Sequence, residues 1–187
     1  MDNLRELTKE EHRRAERTAF MSRMLKKNIT PYQYYVYLKN QFLAYTTLEY
    51  YASTHGLLSG KLEDIIRGHA LLEDILTMEL QNKFSSSKTM EATKKYAEYV
   101  KKISDDPDKL LAHIYVRHMG DLSGGQIIKK LIPGPTKLYE FNGDTEDLKN
   151  LIREKLHDGL EEEAKVCFEM VQNFLEELET HFNETDS

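Results

Sequence analysis

Cysteine is almost missing from this chain. Cys167 is the only one among 187 residues, so no intramolecular disulfide can form and a bridge-stapled scaffold is excluded. Ala164, Val166, Phe168 and Val171 flank it, which predicts a buried small side chain rather than a reactive thiol. Long apolar runs are missing too: no segment approaches the ~20 residues of a membrane-spanning helix. Met1-Asp2-Asn3-Leu4-Arg5-Glu6 has no apolar signal core behind its charges. The expectation is a soluble, cytoplasmic protein without signal peptide or membrane anchor. Proline and glycine are scarce, at 4 and 9, and no stretch alternates apolar and polar residues over strand lengths. HExxH and CxxC are absent, which disfavours a dedicated zinc or di-iron site. A concentrated basic face is also lacking, and a net charge of −6 argues against nucleic acid as a partner.

Charge is interspersed for most of the length, with local exceptions. Glu161-Glu162-Glu163 and Glu176 to Glu179 weight the C-terminal part negatively. Lys26-Lys27, Lys94-Lys95, Lys101-Lys102 and Lys129-Lys130 form basic clusters. Solvated helix faces account for such runs; a basic patch that docks an acidic redox partner is the competing reading.

The apolar residues recur with helical spacing. Leu4, Leu7, Ala15, Phe20, Met21 and Met24 mark a first helix with a bend near Thr18. Thr30-Pro31 is a clean start, threonine as N-cap and proline in the first turn, for a helix running to about Thr54. Leu62, Ile65, Ile66, His69, Leu72, Ile75, Leu76 and Leu80 predict one face of a third helix. Met90 to Ile103 is a shorter one, closed by Asp105-Asp106-Pro107. A helix from Asp108 to Leu131 stops at Pro133-Gly134-Pro135. After Asn142-Gly143-Asp144, Leu148 to Leu156 forms another, and Ala164 to Leu178 the last, with a bend at Gly159. The pattern predicts an all-α single domain over residues 1–187, of about seven helices, with a frayed tail at 183–187.

One segment breaks local rules. Gly120, Gly124 and Gly125 sit where the apolar pattern continues on both sides. Each interior glycine costs about 0.8–1 kcal/mol of helix relative to alanine. Glycine permits a kink and the close approach of another group to the backbone. Helix–helix packing would explain a small-residue seam. Asp121 beside it fits packing poorly, because an unpaired buried charge is expensive. A pocket for a flat ligand accounts for both.

His12 and Glu16 are spaced i,i+4. An imidazole that binds iron through one nitrogen needs an acceptor for the other, and Glu16 is one turn away. By composition alone, His55, His69, His113, His118, His157 and His181 have equal standing, and a lone helical histidine is more often a surface or packed residue. Eleven tyrosines, seven of them crowded between Tyr32 and Tyr51, read as core and interface packing. Arg5, Lys149 and Arg153 are candidate partners for anionic ligand groups, the last two sharing a face at i,i+4.

Thr8-Lys9-Glu10-Glu11-His12-Arg13-Arg14-Ala15-Glu16 resembles the proximal-helix segment of the heme oxygenase family. His113 to Lys130, with Gly120-Asp121-Leu122-Ser123-Gly124-Gly125-Gln126 at its centre, resembles the family's distal helix almost throughout. The resemblance extends from near Leu4 to about Leu178 in the same helical order. It implies a kinked glycine-rich distal helix above haem b and His12 as axial iron ligand below, with Glu16 as its hydrogen-bond partner. Gly120, Gly124 and Gly125 would let the distal backbone lie close to the ring. Asp121 would organise a proton-delivering water, with Tyr115 and Arg117 in the same network. Arg5, Lys149 and Arg153 would meet the propionates, Arg5 standing where the family often has lysine. Ile152 stands where a tyrosine is common, which removes one propionate hydrogen bond.

The implied activity is oxidative cleavage of haem, at once substrate and cofactor, by O2 and external electrons to biliverdin (IX-alpha by the family pattern), CO and Fe(II). Ferredoxin is the implied electron donor and a bilin reductase a plausible consumer of the product. The alternative is a non-catalytic haem carrier or sensor on the same fold. Asp121 weighs against it, since a carrier needs no proton-delivery carboxylate. A thiaminase-like hydrolase would need a nucleophilic cysteine in the pocket, and Cys167 lies outside both ligand segments.

Overall fold

The computed structural model describes residues 3–186, and among them all regular structure is helical. The expected first helix is divided into α1 (Asn3–Leu7), α2 (Lys9–Glu16) and α3 (Ala19–Leu25). Threonines sit at both breaks: the Thr8 hydroxyl donates to the Leu4 carbonyl at 2.8 Å and Thr18 to that of Ala15 at 2.9 Å. Such back-bonding competes with the helical ladder. α4 (Pro31–Thr54) then starts on a reciprocal cap. The Thr30 hydroxyl accepts from the Gln33 N–H and the Gln33 side chain from the Thr30 N–H, each at 3.1 Å.

The third helix departs from its sequence pattern. A 3-10 turn, Gly60–Ile65, is followed by a break at Ile66-Arg67 and then α5 (Gly68–Asn82). The cause lies on α4. Buried Glu49 accepts the N–H groups of Arg67 at 2.6 Å and Gly68 at 3.0 Å, capping α5 from a different helix. The Arg67 guanidinium is spent on the carbonyls of Ile65, Leu138 and Glu140 at 3.0, 3.1 and 2.7 Å. The break rotates α5, so that Leu71, Ile75 and Met78 are buried while Leu72, Leu76 and Leu80 face solvent.

α6 (Glu91–Lys102) and α7 (Pro107–Leu122) follow, the latter capped by Asp106, whose carboxylate accepts from the Lys109 N–H at 3.1 Å. The predicted continuation to Leu131 is interrupted at Ser123-Gly124 and resumes briefly as α8 (Gly125–Ile128). Gly143, at φ +93°, turns the chain toward α9 (Thr145–Arg153), which Asp144 caps. A 3-10 turn containing Gly159 leads into α10 (Glu161–Thr185). α10 outlasts the expected frayed tail. Gln33 donates to the Asp186 carboxylate at 2.7 Å and ties that end to α4; Ser187 lies outside the described residues.

α10 packs along α2, α3, α6 and α7, and α4 packs against α5, α6 and α7. One core cluster gathers Leu48, Val100, Leu111, Ile114, Leu148 and Cys167; a second gathers Phe20, Tyr34, Tyr35, Leu71, Leu175 and Phe182. Among the described residues, no helix is long and apolar enough to cross a membrane.

Glu49 also takes His118 of α7, Nε2 to Oε1 at 2.9 Å, so one carboxylate joins α4, α5 and α7. Glu49→Ala would strand three buried donors, and the expected loss is about 3 kcal/mol or more. Chemical denaturation checks it, and a loss below about 1 kcal/mol would remove Glu49 from this joining role.

Candidate functional site

The two segments singled out in the sequence lie on helices with a common neighbour, because α10 packs against both α2 and α7. His12, on α2, is half exposed; its ring centroid lies 5.5 Å from that of Phe168 on α10. Its Nε2 stands 3.1 Å from Glu16 Oε1, one turn along the same helix. Among the described residues, no group of three or more His, Cys, Asp or Glu side chains is placed to hold a bare metal ion. A metal carried by its own macrocycle would need only one protein ligand.

The glycine string divides into two faces. Gly120 and Gly124 are exposed: a Cβ on Gly120 would meet nothing within 4 Å, and on Gly124 only the Gly120 carbonyl at 3.9 Å. Gly125 corrects the sequence expectation. It is buried, and its Cβ would stand 2.7 Å from the Tyr139 ring, so this glycine admits a tyrosine from inside. Asp121, expected on the open glycine face, is likewise turned inward. The Gln126 amide holds the break between α7 and α8, donating to the carbonyls of Asp121 and Tyr139 at 3.1 and 3.0 Å.

Behind the open face, His113, Arg117 and Asp121 follow one another at i,i+4 along the buried side of α7. The Tyr45 hydroxyl of α4 donates to Asp121 Oδ2 at 2.6 Å. Burial raises the Asp121 pKa to about 6, while His118, Tyr45, Arg67 and Arg117 pull it the other way. The Arg117 guanidinium lies 4.0 Å over the Tyr96 ring and 5.6 Å from that of Tyr45, and Nη1 donates to Gln41 at 3.3 Å. His113 bridges Tyr96, at 2.8 Å, and Glu163, at 2.9 Å. The Nε of Arg117 is buried with no hydrogen-bond partner among the described residues. Tyr115 is buried on the same helix.

Sequence reading missed Tyr45, Tyr96, His113 and Glu163. The i,i+4 spacing of His113, Arg117 and Asp121 was a usable signal; the Tyr45–Asp121 contact, 76 residues apart, left none.

The candidate anion-binding residues are on other elements. Arg5 is exposed on α1. On α9, Lys149 Nζ and Arg153 Nη1 each stand 2.7 Å from a different oxygen of Glu146. Hydrogen bonds from Lys149 and Arg153 pull the Glu146 carboxyl down to about 2.

A family model described as heme oxygenase matches residues 1–183. The chain belongs to the heme oxygenase family. It is 30% identical to heme oxygenase 1 of Synechocystis over 94% of this chain and 83% of the relative. Heme oxygenase 2 of Macaca fascicularis is 31% identical over 94% of this chain, which spans only 64% of that relative's length. The crystal structure of heme oxygenase-1 from the cyanobacterium Synechocystis in complex with heme superposes with a TM-score of 0.83 at 27% identity, covering 98% of this chain and 93% of that one. The helical order of this chain is thus that of a heme oxygenase fold.

The two glycine faces call for opposite responses to alanine. Gly120→Ala is expected to stabilise the ligand-free protein by about 0.5–1 kcal/mol, through helix propensity at an uncrowded position. Gly125→Ala is expected to destabilise it by about 1–3 kcal/mol, since the Tyr139 ring cannot give way. Equal effects in thermal unfolding would contradict the division.

Proposed function

We propose that the chain binds haem between α2 and the open glycine face of α7 and cleaves it oxidatively, with O2 and external electrons, to biliverdin, CO and ferrous iron. One observation carries the reading. An exposed glycine backbone, bare of side chains at Gly120 and Gly124, backs onto a buried carboxyl that holds its proton up to about pH 6. Family membership supports the same assignment.

His12 is the axial iron ligand in this reading, and Glu16 fixes its orientation and raises its basicity. Gly120 and Gly124 present bare backbone to the ring, so that no Cβ separates ring and helix. Gly125 serves indirectly, by letting Tyr139 support the helix from within. Haem, when bound, supplies iron-centred O2 activation and the porphyrin carbon that is oxidised. Asp121 holds the proton the reaction consumes at its distal side; Tyr45 fixes that carboxyl, and Arg117, with Tyr115 on the same helix, keeps its surroundings polar. Arg5, Lys149 and Arg153 set the rotation of the ring by meeting its propionates. Cleavage at the alpha position, ferredoxin as donor, a bilin reductase as consumer and a cytoplasmic setting complete the reading. They rest on the resemblance and on the cyanobacterial and algal relatives.

Purified protein given hemin, O2 and a ferredoxin reducing system is expected to turn green as the haem absorption is lost and biliverdin appears. Haem that binds and stays intact would instead support a carrier. His12→Ala is expected to lose the imidazole-ligated iron spectrum, and a wild-type-like spectrum would remove His12 from the role. Asp121→Asn is expected to lower the biliverdin yield about 10²-fold while haem binding is kept.

A further inference from the structure

The two cations of α9 are already engaged by a carboxylate of the chain itself. Glu146, Lys149 and Arg153 fall at i, i+3 and i+7, on one helix face. Glu146 Oε2 lies 2.7 Å from Lys149 Nζ and Oε1 lies 2.7 Å from Arg153 Nη1, so each oxygen takes one cation. Arg153 Nη1 donates as well to Asn150 Oδ1 at 2.8 Å. A carboxylate spread over two cationic groups is the arrangement an incoming carboxylate ligand would need. The burial of the three side chains is unequal. Lys149 is only 16% exposed and has little room to leave, whereas Glu146 is 58% exposed and can swing into water.

We propose that Glu146 is a built-in competitor at this site: its carboxylate occupies Lys149 and Arg153 and is displaced when a ligand carboxylate arrives. The inference rests on the reading of these two residues as haem-propionate contacts. With Glu146 in place the three side chains carry a net charge of +1, against +2 from the cations alone. Exposed ion pairs are weak, so the competition tunes affinity without blocking entry. It also leaves the two cations half-compensated whenever the site is free, which spares the fold a bare pair of like charges one helical turn apart.

The test is a titration followed by absorbance, with hemin and with its dimethyl ester, which lacks the propionate charges. Four proteins are compared: wild type, Glu146→Gln, Asp147→Asn, and Lys149→Ala combined with Arg153→Ala. Glu146→Gln is expected to bind hemin about threefold to tenfold more tightly and the ester with unchanged affinity. Asp147→Asn removes the same charge one residue along, and its affinity is expected to change by less than about twofold. The double variant is expected to bind hemin more weakly and the ester as wild type does. Unchanged or weaker hemin binding by Glu146→Gln, with the double variant weakened, overturns the competitor and keeps the propionate contact. Tightening by Asp147→Asn to the same degree also overturns it, because bulk charge then explains the effect. A double variant that binds hemin normally removes the propionate reading and the proposal with it.

Discussion

The 2.6 Å hydrogen bond from Tyr45 to Asp121 ties α4 to the inner side of the distal helix, behind the glycine face, and the candidate site depends on it. α7 has to be bare on one side and supported on the other. Glycine provides the bare side at a cost in helix stability, and buried polar contacts provide the support. Asp121 sits one residue from Gly120, so the bond that anchors the carboxyl also fixes the height of the exposed backbone. Burial raises the Asp121 pKa to about 6, above the ordinary value. Its burial therefore favours the fold while the proton is on, and this contribution is lost as pH rises through about 6. A carboxyl so poised can release and regain a proton near neutrality, which a solvated aspartate does not do.

Carboxylates that are buried or partly buried hold the rest of the structure in the same way. Glu49 caps α5 and holds His118; Glu163 holds His113, which in turn meets Tyr96 beneath Arg117. The distal helix is thus gripped along its inner side at His113, Arg117, His118 and Asp121. α10, packed against both α7 and α2, carries Phe168 beside His12 and brings the two walls of the site to one neighbour.

Local signals were legible in the sequence. Thr30-Pro31, Asp106-Pro107 and Asn142-Gly143-Asp144 mark helix starts whose caps lie within a few residues of the capped N–H groups. The i,i+4 spacing of His12 and Glu16 gave their pairing. Contacts that cross the fold were not legible. Glu49 breaks the third helix at Arg67 from 18 residues away, and without that contact the apolar period points to Leu72, Leu76 and Leu80 as core. Gly125 is another such case, since only the position of Tyr139 shows which side of the helix it serves. Glu146 lies within reach of both α9 cations, yet spacing alone cannot tell a paired carboxylate from a solvated one.

Asp121 is a buried carboxyl that keeps its proton up to about pH 6. Infrared titration of the protein, with Asp121→Asn subtracted, isolates its protonated-carboxyl band. The band is expected to disappear with a midpoint near pH 6, and to move to higher pH in Tyr45→Phe, since the Tyr45 hydrogen bond favours the ionised form. A midpoint near 4, the value of a solvated aspartate, would contradict the account.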